Sequence, residues 1–475
     1  MTIREYEPVI GVEIHVQLAT NTKMFCGCAL SFGEEPNTRT CPVCLAHPGV
    51  LPVVNAEAVH YGLMIGLALG CDIARRSIFH RKNYFYPDSP KAYQISQYDI
   101  PLCTNGRLGD VRIHRVHLEE DAAKLVHAGG SGRIHGAESS VVDFNRGGTP
   151  LVEIVTEPDL RTAADAAEFG RLLQATLRRM GVSDVNMEEG SLRMDANVSI
   201  RPAGQATLGT KTELKNMNSF RFLERGIDAE IRRQEGIVAG GGEVEQETLH
   251  YDPQSGSLSL LRSKEEAHDY RYFPEPDLVP LAPTEEMLER ARAALPELPA
   301  ARAERLEREL GLSADAAKLL AFRSELGDFY EAAVSSDGGD PRALANWTTN
   351  ELTARIGDAD PAATKLEPAA FARLVGMVAA KKVSASAAKE VLDVLVAEGG
   401  DPAAVVESKG LGRAGEDELG AIVDRAIADN GDAVEKVRAG KDAAIGAIVG
   451  AVMRETKGRA DGGEVQRLIR ERLGG

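Results

Sequence analysis

Four of the six cysteines in this chain fall in one short segment near its beginning, KMFCGCALSFGEEPNTRTCPVC. They form a C-x-C pair and a C-x-x-C pair: Cys26, Cys28, Cys41 and Cys44. Thiolates at such spacings are typical tetrahedral ligands of Zn²⁺, whereas disulfides are uncommon in a reducing compartment. A redox C-x-x-C pair would normally open a helix, which the neighbouring prolines do not favour. We therefore predict a structural zinc site with no open position for a substrate.

A second set of reactive side chains lies in HLEEDAAK, residues 117–124. Glu119, Glu120 and an aspartate follow one another beside a histidine, and such a cluster is costly unless a cation neutralises it. Mg²⁺ bound by carboxylates and by substrate phosphates is a common solution. An exposed acidic loop would have the same sequence, so a solvated surface is the alternative. Further ligands could come from residues elsewhere in the chain: Glu13, His15 and Glu153.

Basic and aromatic residues are interleaved in FHRKNYFYPDSPKAYQISQYDIP, residues 79–101. Tyr84 and Tyr93 could stack on an adenosine ring or on the unpaired 3′ end of an RNA, while Lys82 contacts phosphate. A tyrosine-rich loop packed on a sheet is the alternative. The chain has no G-x-x-x-x-G-K-[ST], so a nucleotide would bind without a P-loop. Residue types and spacing thus favour metal-dependent phosphoryl chemistry on a charged substrate.

Strands with strict alternation are expected to position these polar residues. In VEIHVQL the apolar residues share one face, so Glu13 and His15 share the other. RMDANVSIRP alternates in the same way and places Arg193 on a polar face, and KTELK does so for Lys211. Any one of these could be a half-buried strand facing water. Three such strands in one domain favour a sheet with a functional polar face.

At 475 residues the chain is too long for one compact core. Glycine-punctuated, alternating segments precede residue 290, and Ala, Leu, Glu and Arg at helical spacing follow it. This change predicts an α+β domain at 1–290, a helical domain at 291–405 and a small helical tail at 406–475. The formal net charge of −17 argues against indiscriminate binding to a polyanion, so any nucleic-acid contact requires local patches.

The first residues, MTIREYEPVI, contain no basic and apolar leader. No apolar run approaches the roughly 18 residues of a membrane span. We therefore expect a cytoplasmic protein with no membrane partner.

Longer motifs occur in order along the chain: TKMFCGC, CPVCLAHPGVLPV, RKNYFYPD, YQISQYD, HLEEDAAK, DFNRGGTPL, MEEGSLR, DANVS, ELKNMNSF, KEEAHDYRYFPEPDL and GAVMRETKGRA. With these motifs the chain resembles, over its whole length, the B subunits of aspartyl/glutamyl-tRNA(Asn/Gln) amidotransferases. The resemblance implies a cradle-like α+β catalytic domain with a largely antiparallel sheet, then an all-helical domain and a small helical tail that contacts tRNA.

The resemblance also implies an activity, the ATP-dependent amidation of misacylated Glu-tRNA(Gln) or Asp-tRNA(Asn). Such an enzyme is a carbon–nitrogen ligase with glutamine as amido donor. The B subunit phosphorylates the side-chain carboxylate and transfers ammonia, which an amidase subunit supplies, and a small third subunit completes the heterotrimer. The absence of a glutaminase nucleophile here agrees with this division of work. The alternative is a non-catalytic tRNA-binding scaffold, and which of the two tRNAs is used does not follow from the sequence.

Carried onto this sequence, the resemblance implies three Mg²⁺ ligands with catalytic roles: Glu13, His15 and Glu120. Two further carboxylates are expected beside them: Glu119 and Glu153. Residue type, rather than the resemblance, suggests the contacts to the phosphates of ATP: Lys82, Arg193 and Lys211. It also suggests the residues that bind adenine or the terminal adenosine of the tRNA: Tyr84 and Tyr93. The zinc loop is expected to be a structural element near the acceptor end of the tRNA.

Overall fold

The computed structural model describes residues 6–30, 32–128, 138–262, 270–337, 339–413, 415–439, 441–456 and 459–474. The chain divides into two compact units, Met1–Leu298 and Pro299–Gly475. All strands of the described chain belong to the first unit, and the second unit is helical. The predicted α+β class with a helical C-terminal region is confirmed. Among the described residues, no helix combines the length and the apolar character that crossing a bilayer requires.

The strands of the first unit are β1 Tyr6–Gln17, β2 Asp72–Ile73, β3 His80–Asn83, β4 Tyr93–Ser96, β5 Cys103–Leu108, β6 Val111–Glu120, β7 Lys124–Ala128, β8 Ser139–Asp143, β9 Pro150–Thr156, β10 Leu192–Pro202, β11 Thr212–Met217, β12 Thr248–Asp252, β13 Ser257–Arg262 and β14 Phe273–Pro274. Nine of them form one sheet in the order β13-β12-β11-β10-β1-β9-β6-β5-β2. Neighbouring strands in this sheet run antiparallel, except for the parallel pair β11 and β12. Two small sheets, β14-β3-β4 and β7-β8, complete the unit.

Alternation of apolar and polar residues explains how this sheet divides its two faces. In β1, Val12, Ile14 and Val16 are buried while the polar residues between them are half-buried. Strand β10 repeats the pattern, with Met194 and Ala196 among its buried residues. Because side chains alternate along a strand, one face of the sheet enters the core and the other carries acids and bases, as predicted.

Helices of the first unit pack against the apolar side: α1 Ala56–Ala68, α2 Ala163–Met180, α3 Phe220–Ala239 and α4 Glu285–Ala294. Helix α2 begins at an N-cap, where the hydroxyl of Thr162 accepts a hydrogen bond from the backbone N–H of Asp165. Gly170 allows this helix to approach its neighbours closely, because a Cβ there would lie 2.7 Å from the ring of Phe220 and 3.0 Å from the sulfur of Met194. The helix layer therefore packs closely on the apolar face of the sheet.

The second unit consists of α5 Pro299–Leu310, α6 Ala314–Phe322, α7 Ser324–Asp337, α8 Pro341–Asn346, a π-helix Trp347–Leu352, α9 Thr353–Ile356, a 3₁₀ turn Pro361–Ala363, α10 Pro368–Ala379, α11 Ala385–Glu398, α12 Pro402–Ser408, α13 Glu416–Asp429, α14 Gly431–Arg438, a 3₁₀ turn Asp442–Ala444, α15 Ile445–Glu455 and α16 Gly462–Leu473. It contains two hydrophobic clusters, one between Leu306 and Leu411 and one between Leu419 and Ile469. The division into three domains at 290 and 405 stays a prediction.

Candidate functional site

The register of the large sheet brings four polar residues into one row. His15 of β1 lies opposite Arg193 of β10 on one side and opposite Glu153 of β9 on the other. Glu153 in turn lies opposite His117 of β6. Residues directly opposite on antiparallel strands project from the same face of the sheet. The row therefore runs across β10, β1, β9 and β6 on the polar face.

Glu119 joins this row because it lies two residues beyond His117 on β6 and projects from the same face. Nε2 of His15 is 3.5 Å from Oε2 of Glu153 and 3.9 Å from Oε1 of Glu119. Ligand atoms of these three residues all lie within 4.8 Å of one another. Oε2 of Glu119 is buried and accepts no hydrogen bond from the described chain. One imidazole and two carboxylates with an unsatisfied oxygen fit a divalent cation.

Opposite charges in this cluster stabilise the ionised forms of its side chains. Burial alone raises the pKa of Glu153, but the hydrogen bonds and charges of His117 and His15 bring it well below its ordinary value. Burial alone lowers the pKa of His15, but its hydrogen bond with Glu153 and the nearby charge of Glu119 raise the pKa overall. Nε2 of His117 is 3.3 Å from Oε2 of Glu153. The buried carboxylate of Glu153 is therefore ionised and lies between two imidazoles.

Two of the residues expected as metal ligands lie outside this cluster. Glu13 lies opposite Asp195 and accepts a hydrogen bond of 2.9 Å from the side-chain amide of Asn197. Glu120 projects from the opposite side of β6, where it accepts a hydrogen bond of 2.9 Å from the backbone N–H of Ile95 and pairs with Lys91. The geometry thus groups His15 with Glu119 and Glu153, and the roles predicted for Glu13 and Glu120 stay predictions.

A cavity of about 370 Å³ lies over the polar face, and its lining includes His15, Glu119 and cationic side chains. Nζ of Lys82 is 3.9 Å from Oε2 of Glu119 and 5.1 Å from the centroid of the Tyr270 ring. Although burial lowers the pKa of Lys82, the charge of Glu119 and other nearby groups raise it overall. Lys82 therefore remains a cation at the wall of the cavity, and its contact with phosphate stays a prediction.

Arg193 is positioned in this cavity by Asp121. Its guanidinium nitrogen is 3.0 Å from Oδ2 of Asp121, which also accepts a hydrogen bond of 2.7 Å from the side-chain amide of Gln17. Burial raises the pKa of Asp121, but Arg193 and Arg146 lower it overall. The carboxylate is thus ionised and keeps Arg193 oriented on the polar face.

Of the two lysines in KTELK, the structure places Lys215 rather than Lys211 at the cavity. Lys211 is exposed and precedes β11. Nζ of Lys215 lies 2.8 Å from Oδ2 of Asp195 and 2.8 Å from Oε1 of Glu213. Burial lowers the pKa of Lys215, but these two carboxylates raise it overall. The alternation along one strand could have indicated both lysines, but not which of them reaches the site.

The two predicted tyrosines lie in different surroundings. Tyr84 lines the large cavity and stacks on Tyr86 with ring centroids 5.7 Å apart. Burial, together with the charge of Asp88, raises the pKa of Tyr84 to about 12. Tyr93 instead lies under the guanidinium of Arg81, at 4.3 Å from its ring centroid, and lines a separate cavity of about 220 Å³. Of these two tyrosines, Tyr84 therefore borders the cavity that His15 and Glu119 line.

Two tyrosines that sequence reasoning missed, Tyr270 and Tyr272, also lie close to Lys82. Tyr272 stacks on Tyr98 with ring centroids 4.4 Å apart and an interplanar angle of 7°. Their segment is held in place because β14 pairs with β3 and because Arg81 donates two hydrogen bonds, of 2.8 and 2.9 Å, to Glu275. The motif DYRYFP could have indicated these tyrosines. Because it lies far from Lys82 along the chain, no local pattern indicated that the two segments come together.

The four clustered cysteines converge as their spacing predicts. The four Sγ atoms lie within 4.8 Å of one another, and those of Cys41 and Cys44 are 3.9 Å apart. Sulfurs around tetrahedral zinc, with Zn–S bonds of about 2.3 Å, are separated by about 3.8 Å. A hydrogen bond from Cys26, together with one from the backbone N–H of Cys41, lowers the pKa of Cys44 to about 4 despite burial. The donor set therefore fits zinc.

Comparisons with known proteins find relatives over almost the whole chain. A family model described as GatB/GatE catalytic domain matches residues 8–289, and one described as GatB domain matches residues 328–473. A protein of Thermobifida fusca is 50% identical, over 99% of this chain and 95% of its own length. Proteins of Frankia casuarinae (51%; 99% and 96%) and of an Anaeromyxobacter species (46%; 100% and 100%) are similarly related. All three are named as the B subunit of an aspartyl/glutamyl-tRNA(Asn/Gln) amidotransferase.

Proposed function

Because this chain belongs to the family of aspartyl/glutamyl-tRNA(Asn/Gln) amidotransferase B subunits, we propose that it amidates misacylated Glu-tRNA(Gln), Asp-tRNA(Asn) or both. It acts as a carbon–nitrogen ligase with glutamine as amido donor. An amidase subunit supplies the ammonia, and a small third subunit completes a cytoplasmic heterotrimer. The observation that carries the proposal is the convergence of His15, Glu119 and Glu153, two of which, His15 and Glu119, line a cavity together with cationic side chains.

The proposed amidation has two steps, phosphorylation of the side-chain carboxylate and displacement of the phosphate by ammonia. A side-chain carboxylate oxygen of the charged tRNA attacks the γ-phosphorus of ATP, and ADP leaves with the electrons of the broken P–O bond. Ammonia then attacks the acyl carbon, inorganic phosphate leaves with the electrons of the C–O bond, and the nitrogen loses a proton. Both steps move negative charge between oxygens, so positioning and electrostatic stabilisation supply most of the catalysis.

His15, Glu119 and Glu153 are the residues that would hold Mg²⁺. When bound, this ion neutralises the charge of the ATP phosphates during phosphoryl transfer. The paired imidazole and carboxylate are preorganised for this role, since Glu153 is buried and ionised. The single nitrogen donor in the set also suits Mn²⁺.

We assign the cationic side chains around the carboxylate cluster to contacts with the phosphates of ATP. Lys82 and Arg193 stay in this role, each oriented by a carboxylate, Glu119 and Asp121 respectively. We assign the third contact to Lys215 in place of Lys211, because Lys215 lines the cavity and Lys211 is exposed. An ammonium or guanidinium held by a neighbouring carboxylate loses little conformational freedom when phosphate arrives.

We assign tyrosines at this cavity, or near Lys82 in its wall, to contacts with bases. Tyr84 is the predicted residue that borders the cavity, and the stacked pair Tyr98 and Tyr272 adds an aromatic surface near Lys82. Aromatic rings bind unpaired bases by stacking, whatever the base. Tyr93, whose ring lies under the guanidinium of Arg81, lines the separate smaller cavity and receives no such assignment. For the cysteine cluster we propose a structural Zn²⁺ with four thiolate ligands.

The test is ADP release by the reconstituted heterotrimer with ATP, Mg²⁺ and misacylated tRNA, without ammonia or glutamine. Wild type should release ADP only when the tRNA is charged. Glu153→Gln should lower the rate by about a hundredfold or more, because metal stabilisation is worth several kcal/mol. The matched control is Glu245→Gln, at an exposed position of the same unit. Unchanged release by a folded Glu153→Gln complex would move the chemistry elsewhere, and no release by wild type would favour the tRNA-binding scaffold.

A further inference from the structure

Lys23 is a lysine in an unusual place. Its side chain is only 1% exposed, and Nζ lies 3.6 Å from Sγ of Cys44 and 3.0 Å from the backbone carbonyl oxygen of Phe144. Among the described residues, no carboxylate forms an ion pair with it. A fully buried lysine almost always has a charged partner, because an isolated ammonium is costly away from water. Its compensating negative charge must therefore come from another source.

The cysteine cluster can supply that charge. Four thiolates around one Zn²⁺ have a formal net charge of about −2, and the site lies against the ammonium of Lys23. We infer that Lys23 is the counter-charge of this zinc site: its ammonium donates a hydrogen bond to the Cys44 thiolate and so strengthens zinc binding. The inference rests on the zinc site of the proposed function and assigns it a residue outside the four ligands.

Contacts around Lys23 fix the position of its ammonium. We call the segment from Lys23 to Cys44, which contains the four cysteines, the zinc clip. The backbone N–H of Lys23 donates to the carbonyl oxygen of Cys28 at 3.0 Å, within the first half of this clip. Its side chain then crosses to Cys44 in the second half. A Cβ on Gly148 would lie at ordinary van der Waals distances, 3.4 Å from Cδ of Lys23 and 3.9 Å from Cβ of Cys44, so Gly148 lies beside the aliphatic stem. Lys23 thus joins both halves of the metal site.

The same side chain connects the clip to the catalytic cavity. The carbonyl oxygen of Phe144 that accepts from Lys23 belongs to the segment before β9. In this segment the N–H of Gly148 donates to the carbonyl oxygen of Asp121 at 2.8 Å, and the N–H of Asp121 donates to Thr149 at 2.8 Å. Asp121 positions Arg193 in the cavity. Lys23 is therefore a positioning residue between the zinc clip and the polar face of the sheet.

The test measures zinc affinity in the full-length chain by competition with the chromophoric chelator 4-(2-pyridylazo)resorcinol. Lys23→Met keeps an unbranched side chain and removes the charge, and replacing a buried charge with an apolar residue of similar shape is often tolerated. Loss of a partner outside the ligand set should weaken zinc binding by about 10- to 100-fold. The matched control is Lys124→Met, at an exposed position of the same unit, where affinity should not change.

A second variant separates charge from hydrogen bonding. Lys23→Gln can still donate to Phe144 but has no charge, so it should bind zinc as weakly as Lys23→Met. Zinc affinity equal to that of wild type in either folded variant would overturn the inference. Wild-type protein that binds no zinc would instead overturn the zinc site itself, while ADP release by the heterotrimer tests the catalytic proposal independently.

Discussion

His15 and Glu153 face each other across β1 and β9, with Nε2 of the imidazole 3.5 Å from Oε2 of the carboxylate. His117 contacts the same carboxylate from β6 at 3.3 Å. A buried carboxylate between two imidazoles stays ionised, and the pKa of Glu153 is accordingly well below its ordinary value although burial opposes this. The pairing registers of three strands therefore create a preorganised anionic centre that no single segment contains.

The orientation of β6 predicts opposite results for its two adjacent glutamates. Glu119→Gln should weaken Mn²⁺ binding by at least about tenfold, because it removes an anionic ligand oxygen. Loss of a residue that only contacts a metal ligand already lowers metal affinity by about this factor. Glu120→Gln should leave Mn²⁺ binding unchanged, since Glu120 pairs with Lys91 on the other side of the strand. Titration of Mn²⁺ followed by electron paramagnetic resonance measures both. The reverse order of effects would restore Glu120 as the ligand.

The two lysines of KTELK should differ in their effect on ATP. Lys215→Met should raise the KM for ATP by about tenfold or more, because hydrogen bonds to charged groups are worth about 1.5–3 kcal/mol. Lys211→Met should leave it unchanged, because Lys211 is exposed and does not line the cavity. Steady-state amidation by the heterotrimer at varied ATP provides the measurement. Equal effects of the two substitutions would refute the assignment.

Tyr98 should contribute to binding of the tRNA end. It is 55% exposed and stacks on Tyr272. Tyr98→Ala should weaken binding of charged tRNA by about tenfold, given that base–aromatic stacking is worth about 1–3 kcal/mol. Tyr98→Phe should retain wild-type binding, because the ring remains.

Filter binding with intact tRNA and with tRNA lacking its unpaired 3′ nucleotides separates stacking from a general loss of structure. If the alanine variant loses as much affinity for the truncated tRNA as for the intact one, the ring does not contact that end.

Two helical glycines should respond oppositely to alanine. Gly170→Ala should destabilise the first unit by about 1–3 kcal/mol, because its Cβ would lie 2.7 Å from Phe220 and overpacked cores cost this much. A Cβ on Gly236 in α3 would meet no atom within 4 Å. Gly236→Ala should therefore stabilise the first unit by up to about 1 kcal/mol, which is the difference in helix propensity between alanine and glycine. Denaturant unfolding of the full-length chain measures both. Stabilisation by Gly170→Ala would show that α2 can shift away from the sheet.

Acid should weaken one ion-pair network of the helical unit. The hydrogen bond from Lys389 lowers the pKa of Glu351, and Arg355 adds to this effect against a smaller effect of burial. A carboxyl whose pKa is lower in the folded state stabilises the fold above its unfolded pKa, and this stabilisation disappears as pH falls through the folded pKa. Glu351→Gln should therefore cost up to about 1 kcal/mol near neutral pH and nothing in strong acid.

Thermal unfolding of the full-length chain across this pH range tests the expectation, with Glu398→Gln at an exposed position as control. A cost of Glu351→Gln that persists below the folded pKa would indicate lost packing instead of lost charge.

Local patterns were sufficient for much of this protein. Strict alternation in β1 and β10 predicted which residues enter the core, and the burial of Val12, Ile14 and Met194 confirms it. The spacing of the four cysteines predicted their convergence, because the ligands lie in one loop and are separated by few residues. Motif order along the whole chain predicted the family, which the matches to residues 8–289 and 328–473 confirm.

The composition of the carboxylate cluster depended on pairing between distant strands. Glu119 and Glu120 are neighbours in sequence, and only the register of β6 against β9, which shifts between Ile113 and Arg115, decides which of them faces His15. A shift of one residue moves every later side chain to the other face, and alternation within one strand does not reveal it. Glu153 joined the cluster through the same register. Tyr272 lies near Lys82 because β14 pairs with β3. Side-chain chemistry is thus a property of each segment, whereas its assembly into a site is set by long-range hydrogen bonding and packing.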